Sequence, residues 1–501
     1  MKRRLFLTSM GSVAALSACG GSESFLVQGT GPSSSTKPYL TPIQSGLQFA
    51  SILTTGDAVG SYRMVGIPDG LGAYDNGNGT FTVLMAHELG SSVGIARAHG
   101  GKGAFVSEWV VGKNTLAVAT GADLMKTVYS YVGSTWTETA AVSFNRFCSA
   151  DLPVSGAFYN SASGKGSQAR IFMVGEEAGS PTVACKGLGI VATGSDKGKA
   201  YVLPWATAVN LGWENLLAHP SSGDKTIVMG NSDGGFNGVY LYVGAKSSTG
   251  NEIEKAGLLG GTMYRVLVNN TLTETTAADA GLGLVKDSAA FTLTTDLTTS
   301  NGGTYFLRPE DGVWDVTNPS RYYFVTTSGV DTAKDANPLV TTVNVGRTRL
   351  WRLTFTDITS PEKGGKIEMM LDGTETLTVN GRVHGTQMFD NMTMSSNGDI
   401  ILQEDVGNNS HNGKIWKYAP STDTLSLLAQ HDEALFGDYY TSKTGTVTAD
   451  EESSGVIEVT NLLGRNDGRT YFLMVDQVHA AATGTNATEL VEGGQLLLMS
   501  Y

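Results

Sequence analysis

The sequence predicts an all-β chain folded as a six-bladed β-propeller with loop and short-helix insertions, and three observations carry that expectation. Short runs rich in Val, Ile, Thr, Tyr and Phe recur along the chain. Turns rich in Gly bound them, and Gly makes up 64 of 501 residues, roughly twice ordinary usage. Strand–turn–strand phrases continue over residues 47–501 with no interior linker. At about 40–50 residues per blade, that length suits radial repetition better than one stacked sandwich. Six blades with long inserted loops and seven tight ones both fit. The stretches 244–262 and 328–345 read as insertions and favour six.

The amino-terminal segment reads as an address. Lys2-Arg3-Arg4 precedes an apolar stretch that closes at Leu16-Ser17-Ala18-Cys19-Gly20, the pattern of a twin-arginine export signal ending in a lipobox. Similarity to bacterial lipoproteins implies removal of residues 1–18, diacylation of Cys19, and a membrane-anchored product on the periplasmic or cell-surface side. That cleavage takes Lys2, Arg3 and Arg4 and no acid from a formal net charge of −13, leaving −16. Residues 19–46, rich in Gly, Ser and Pro, read as a tether, so the folded body is expected to start near Leu47.

Within the body the expected strands include Phe81–Met85, Arg170–Val174, Gly238–Val243, Arg321–Thr327, Asp399–Gln403 and Arg469–Val475. Lys414–Tyr418 and Arg349–Leu353 share a strand-like phrase with a central Trp. Turn chemistry such as Asp75-Asn76-Gly77, Asn397-Gly398 and Asn466-Asp467-Gly468 separates them. Helices, for example around Asp123–Val132, are expected as loop decorations.

Composition narrows the function. With 41% hydrophobic residues the chain is too apolar for disorder. With 47 acidic against 34 basic residues and no basic block, it lacks the footprint of a nucleic-acid binder. Cys148 and Cys185 alone remain in the body, too few for a disulfide scaffold; they could pair with each other, or one could be a free ligand.

Acids stand at strand ends beside Gly or Asn: Glu88, Glu176-Glu177, Glu214, Asp233, Glu310-Asp311, Asp390 and Glu404-Asp405. Propeller loops converge on one end of a central channel, so such residues can meet from distant blades. Clustered carboxylates suit hard cations such as Ca²⁺. No EF-hand loop, His-Glu-x-x-His, Walker spacing or Gly-x-Ser-x-Gly elbow competes with that reading.

The segments Phe144-Asn145-Arg146-Phe147-Cys148-Ser149, Val174-Gly175-Glu176-Glu177, Gly212-Trp213-Glu214-Asn215, Met229-Gly230-Asn231-Ser232-Asp233 and Arg308-Pro309-Glu310-Asp311 occur in this order. Phe389-Asp390-Asn391 and Asp450-Glu451-Glu452 follow. Together they resemble the PhoX-type alkaline phosphatases, twin-arginine-exported propeller enzymes with an iron–calcium site. The resemblance implies Ca²⁺ and Fe³⁺ as cofactors, with Cys148 as the iron thiolate, and Glu176 or Glu177, Glu214, Asp233 and Glu310 as further ligands. It implies that Arg308 grips the substrate phosphate beside Glu310, and that the partner is a small phosphorylated molecule met by a monomer. Trp213, and Ser232-Asp233 in place of two aspartates, depart from the family pattern and bear on substrate range. The separations from Cys148 to Glu177, Glu214 and Glu310 are successively 29, 37 and 96 residues, too long for one loop and suited to ligands drawn from different blades. Two other readings keep the propeller: a calcium-dependent hydrolase of another ester class, phytase- or lactonase-like, and a non-catalytic calcium-binding surface lipoprotein.

Overall fold

The structure, a computed structural model, describes residues 25–178, 183–209, 211–269, 271–277, 288–297, 299–332, 334, 345–409, 411–441 and 443–501. Residues 1–18 and Cys19, with the export signal and lipidation expected there, lie outside them.

Six strands line the centre: β1 (Pro68–Asp75), β2 (Phe147–Asp151), β3 (Leu211–Ala218), β4 (Pro309–Trp314), β5 (Phe389–Met394) and β6 (Glu451–Glu458). Each contacts the next, and β6 returns to β1, so they form a closed ring. From each a stack of antiparallel strands runs outward in chain order. Behind β1 come Thr80–His87, Phe105–Gly112 and Val118–Asp123; behind β2 come Ile171–Glu176, Ala184–Val191 and Lys199–Val209. The stacks of β3 and β4 join at their outer edges through Ala289–Thr294, giving one nine-stranded sheet. Behind β6 lie Tyr471–Val478 and Gly493–Ser500, and the outermost place is taken by Gln48–Thr54 from the other end of the chain, paired from Gln48↔Ser500 to Thr54↔Gln495. The two chain ends therefore close the ring by backbone hydrogen bonds. The fold is an all-β propeller.

The stacks pack face to face through apolar layers. Leu84, Val106, Phe172 and Leu188 fill the space between the first two. Trp416, Leu402, Tyr323 and Leu350 lie between the stacks of β4 and β5. Every run expected as a strand overlaps one, with overhangs of one or two residues at Arg170, Thr327, Asp399 and Arg469-Thr470, because alternating β-branched and aromatic residues match a pleated surface buried on both faces.

Two expectations are corrected. Residues around Asp123–Val132 are not helical: Val118–Asp123 is a strand, and Thr127–Val132 pairs in parallel with Lys199–Val202 while its Tyr129 stacks on Tyr201 at 5.1 Å. The β-branched and aromatic content of Thr127-Val128-Tyr129-Ser130-Tyr131-Val132 suits a strand. The second concerns the tether. Gly29–Thr30 pairs with Ala50–Ser51, and Leu40–Pro42 pairs with His431–Ala429. The folded body thus begins ahead of Leu47, since edge pairing needs only backbone donors and acceptors, which composition does not report.

Candidate metal centre

Each central strand carries one inward side chain near its start: Asp69 on β1, Cys148 on β2, Glu214 on β3, Glu310 on β4, Asp390 on β5 and Glu452 on β6. In five of the six the pairing register slips by one residue at that point, between Pro68 and Leu71, Phe147 and Ala150, Trp213 and Asn215, Pro309 and Gly312, and Phe389 and Met392. Such bulges re-aim side chains at the rim of a barrel. Here they turn one ligand-type residue per strand toward the axis.

Close approach of the central strands needs glycine. A Cβ on Gly70 would lie 2.2 Å from Ala150 N, and one on Gly455, whose φ is +25°, would lie 2.5 Å from Asp69 O.

The six inward residues line a cavity of about 40 Å³ together with Glu88, Glu177, Asp405, Arg146 and Arg308. Four overlapping triads have ligand atoms within 4.8 Å of one another: Asp69–Glu88–Cys148, Cys148–Glu177–Glu214, Glu177–Asp233–Glu310 and Glu214–Glu310–Asp390. The structure thus brings together Cys148, Glu177, Glu214, Asp233, Arg308 and Glu310 among the residues predicted from sequence. It leaves Glu176 out. That carboxylate turns to the other face of the strand, where it accepts from Asn145 N at 2.9 Å and from Lys186 N and Nζ at 3.0 and 2.9 Å. Cys148 and Cys185 are both free thiols. Sequence reasoning passed over Asp69 altogether; Glu88, Asp390, Asp405 and Glu452 stood among its strand-end acids or family motifs without an assigned role.

Burial and crowding set the electrostatics. Burial, with Asp233, Asp390 and Glu214 nearby, pushes the Glu310 carboxyl well above the usual range. Burial and neighbouring acids do the same to Asp69, Glu214 and Asp390. Glu177 is pushed up to about 8 and Asp405 to about 7, again chiefly by burial. The Cys148 thiol is raised by burial and by Glu177, to whose Oε2 its Sγ donates at 3.2 Å. Two ionised carboxylates 4.8 Å apart repel by about 3.5 kcal/mol at an effective dielectric of about 20. Such a cluster holds its charge only beside cations.

Two arginines supply part of that. Arg146 Nε lies 2.8 Å from Glu88 Oε1, and its Nη2 pairs with Glu177 Oε2. Arg308 Nε lies 2.8 Å from Asp233 Oδ2, and its Nη2 is 3.0 Å from Glu310 Oε1. The acids outnumber them, and Glu310 Oε1 is buried without an aligned hydrogen-bond donor. Oxygen-rich donors converging with one thiol fit a site for metal cations, hard ones at the carboxylates.

Behind the cluster a layer of amides braces the strands. Asp311 Oδ1 accepts from Asn215 Nδ2 at 2.8 Å and its Oδ2 from Met392 N at 3.0 Å, so this acid links β3, β4 and β5 and is already satisfied by hydrogen bonds. Gln477 Nε2 donates to Glu88 Oε2 at 3.1 Å and lies 3.3 Å from Asp69 Oδ2. His479 Nδ1 sits 2.8 Å from Glu492 Oε2 and its Nε2 3.7 Å from Glu452; burial would lower its pKa, but the two acids raise it to about 11.

The model of the family described as Alkaline phosphatase PhoX matches residues 212–478, more than half of the chain. The chain belongs to the PhoX family. The PhoX match takes in Glu214, Asp233, Arg308, Glu310, Asp390, Asp405 and Glu452, while Asp69, Glu88, Arg146, Cys148 and Glu177 lie ahead of it. Among solved structures, Pseudomonas fluorescens PhoX in complex with vanadate, a transition state analogue, aligns with a TM-score of 0.53 at 10% identity, covering 95% of this chain and 98% of that one. At that identity the likeness speaks for the fold. The β-xylosidase/α-arabinofuranosidase CoXyl43 from a compost microbial metagenome aligns at 0.30 and 8% identity over 95% of both chains, and a PL25 ulvan lyase at 0.31 and 9% over 95% and 94%, overlaps too low to carry an argument. No curated protein matches.

Proposed function

We propose that this protein is a metal-dependent phosphatase that hydrolyses small phosphate monoesters, with Ca²⁺ and Fe³⁺ as its cofactors. One observation carries the reading: a closed ring of six strands delivers carboxylates and one cysteine to a single small cavity flanked by two arginines. Family membership supports the same chemistry.

Cys148, Glu177 and Glu214 would hold iron, and Glu214, Asp233, Glu310 and Asp390 would hold calcium. When bound, the cations supply charge neutralisation and polarisation of the phosphoryl oxygens. The chain's own residues do the rest. Arg308 is fixed through its Nε by Asp233, which sets the plane of the guanidinium against the cavity; a planar fork of this kind meets phosphate oxygens bidentately. Glu310 lies beside that guanidinium and is placed to hold the attacking oxygen near phosphorus. The Cys148 thiol proton has a ready acceptor in Glu177 Oε2, so the sulfur can become a thiolate as Glu177 takes up or passes on the proton. The cavity, at about 40 Å³, has room for only a few water-sized bodies at about 10–15 Å³ each.

The same reading includes the ring of six strands as a six-bladed propeller, export by the twin-arginine route, anchoring through a lipid on Cys19, and a monomer acting outside the cytoplasmic membrane. Elemental analysis of natively exported protein, combined with p-nitrophenyl phosphate hydrolysis with and without chelator, tests the catalytic part. Calcium without iron, or activity untouched by chelation, would exclude it and favour a hydrolase of another ester class. Labelling with radioactive palmitate, lost in Cys19→Ala, tests the anchor.

A further inference from the structure

The residue two places before the inward side chain differs from strand to strand: Ile67, Arg146, Gly212, Arg308, Met388 and Asp450. Two of the six are arginines, and their guanidiniums are held in the same way. Both arginines lie in the left-handed region, Arg146 at φ 53° and Arg308 at φ 60°, but so do Ile67 at 50° and Met388 at 36°, so this backbone turn belongs to the ring and not to the arginines. All four carbonyls accept from the residue that follows the neighbouring strand, Arg146 O from Glu177 N at 3.0 Å and Arg308 O from Thr327 N at 2.9 Å, like Ile67 O from Glu88 N at 2.9 Å and Met388 O from Asp405 N at 3.1 Å; what sets the arginines apart is the side chain. Both guanidiniums hold one cluster acid through Nε and another through Nη2. Their side chains are 47% and 39% exposed at the cavity, far more than the acids they hold.

We propose that Arg146 is a second phosphate-gripping side chain, flanking the cavity with Arg308, and that the pair restricts the site to terminal phosphoryl groups. The inference rests on the phosphatase reading above. Each guanidinium has five N–H donors in a fixed fork. Two forks and a set of cations require three non-bridging oxygens and two negative charges, which a phosphate monoester offers and a diester does not. Arg146 therefore selects substrate by the charge and oxygen count of the phosphorus centre, with the leaving group pointing out of the cavity.

The test uses full-length protein carrying its native metals, with Arg146→Gln and Arg146→Lys. Metal content is measured by elemental analysis, binding of inorganic phosphate and orthovanadate by calorimetry, and kcat/KM on p-nitrophenyl phosphate and bis(p-nitrophenyl) phosphate. The expected result for Arg146→Gln is wild-type metal content, phosphate affinity lower by about 10–100-fold, and a similar fall in monoester kcat/KM. Diester turnover should change by less than about threefold. Arg146→Lys should recover only part, because an ammonium is a point charge without the fork. Full metal content with phosphate affinity within about twofold of wild type overturns the inference. Metal loss in step with affinity overturns it too, making Arg146 a counter-ion for Glu88 and Glu177. Metal-loaded wild-type protein that neither binds phosphate nor hydrolyses a monoester overturns the phosphatase reading itself, and this inference with it.

Discussion

Asp311 follows Glu310 directly, and the two acids should behave in opposite ways when changed. Asp311→Ala removes the acceptor for Asn215 Nδ2 and for Met392 N, both buried. Met392 N then has no partner and Asn215 Nδ2 keeps only Glu310 O at 3.3 Å; two such lost bonds cost about 1–3 kcal/mol each, so about 2–6 kcal/mol in all. Unfolding entropy of about 2.1 cal/mol/K per residue over a chain of this size comes to roughly 1 kcal/mol/K, so Tm should fall by about 2–6 °C. Asp311→Asn keeps one of the two acceptors and should lose about half as much. Neither variant should lose metal, because both oxygens of Asp311 are taken by the bracing amides. Glu310→Gln is the converse: it removes charge from a crowded site, should leave Tm in chelator unchanged or higher, and should lose bound cation and activity. Scanning calorimetry of metal-free protein with elemental analysis of the loaded protein reads both quantities. The reasoning fails if Asp311→Asn loses metal as Glu310→Gln does while its Tm holds, since Asp311 would then be a ligand and not a brace.

Other expectations follow from the same geometry. In chelator, stability should fall as pH rises from about 5 to about 9: Glu177 binds its proton more tightly folded, near 8, than at its ordinary 4.5, so its contribution is complete below the lower value and lost through the upper one. That loss is on the order of 4–5 kcal/mol, and added Ca²⁺ should flatten the slope; a flat Tm in chelator across that range would argue against a proton-filled cluster. Glu176→Gln should keep its metal and activity while losing some stability with the Lys186 contact, whereas Glu177→Gln should lose iron, both read by elemental analysis. Gly455→Ala places a methyl group against Asp69 O and must part β1 from β6, so phosphatase activity and metal content should drop together; an unchanged variant would mean the ring is looser than drawn.

Much of the fold was legible because propeller strands are buried on both faces and carry β-branched and aromatic residues throughout. What was missed has physical causes. The segment 25–46 joins two sheets through short backbone pairings and a few side chains such as Lys37 on Asp432 and Leu40 in the core, so its Gly, Ser and Pro content pointed away from the fold. Asp69 sits in Pro68-Asp69-Gly70, which reads as a turn, yet the bulge makes that turn-like triplet part of β1. The choice between Glu176 and Glu177 depended on where pairing with β2 ends: Phe147 faces Glu176, so Glu176 completes the strand and the next residue is free to turn inward. Alternation alone could not decide it, because the register slip lies on the facing strand.

Five of the six central strands hold the signal that could have found the rest. Pro68-Asp69-Gly70, Phe147-Cys148-Ser149, Trp213-Glu214-Asn215, Pro309-Glu310-Asp311 and Phe389-Asp390-Asn391 share one phrase: a bulky or proline residue, a ligand, then a small or polar residue. The bulky residue anchors the strand between stacks, the ligand is re-aimed by the bulge, and the third residue must be small or able to hydrogen-bond because it faces the neighbouring strand. Read this way, the acid excess is not spread evenly over the surface but partly stored on the axis, where nine carboxylates (Asp69, Glu88, Glu177, Glu214, Asp233, Glu310, Asp390, Asp405 and Glu452) converge against two guanidiniums. A centre with that imbalance repels a phosphate ester until cations reverse the sign of the local field, so on the proposed function metal loading and substrate binding are a single electrostatic requirement, and the two arginines at the rim are the groups that act on the substrate once that reversal has occurred.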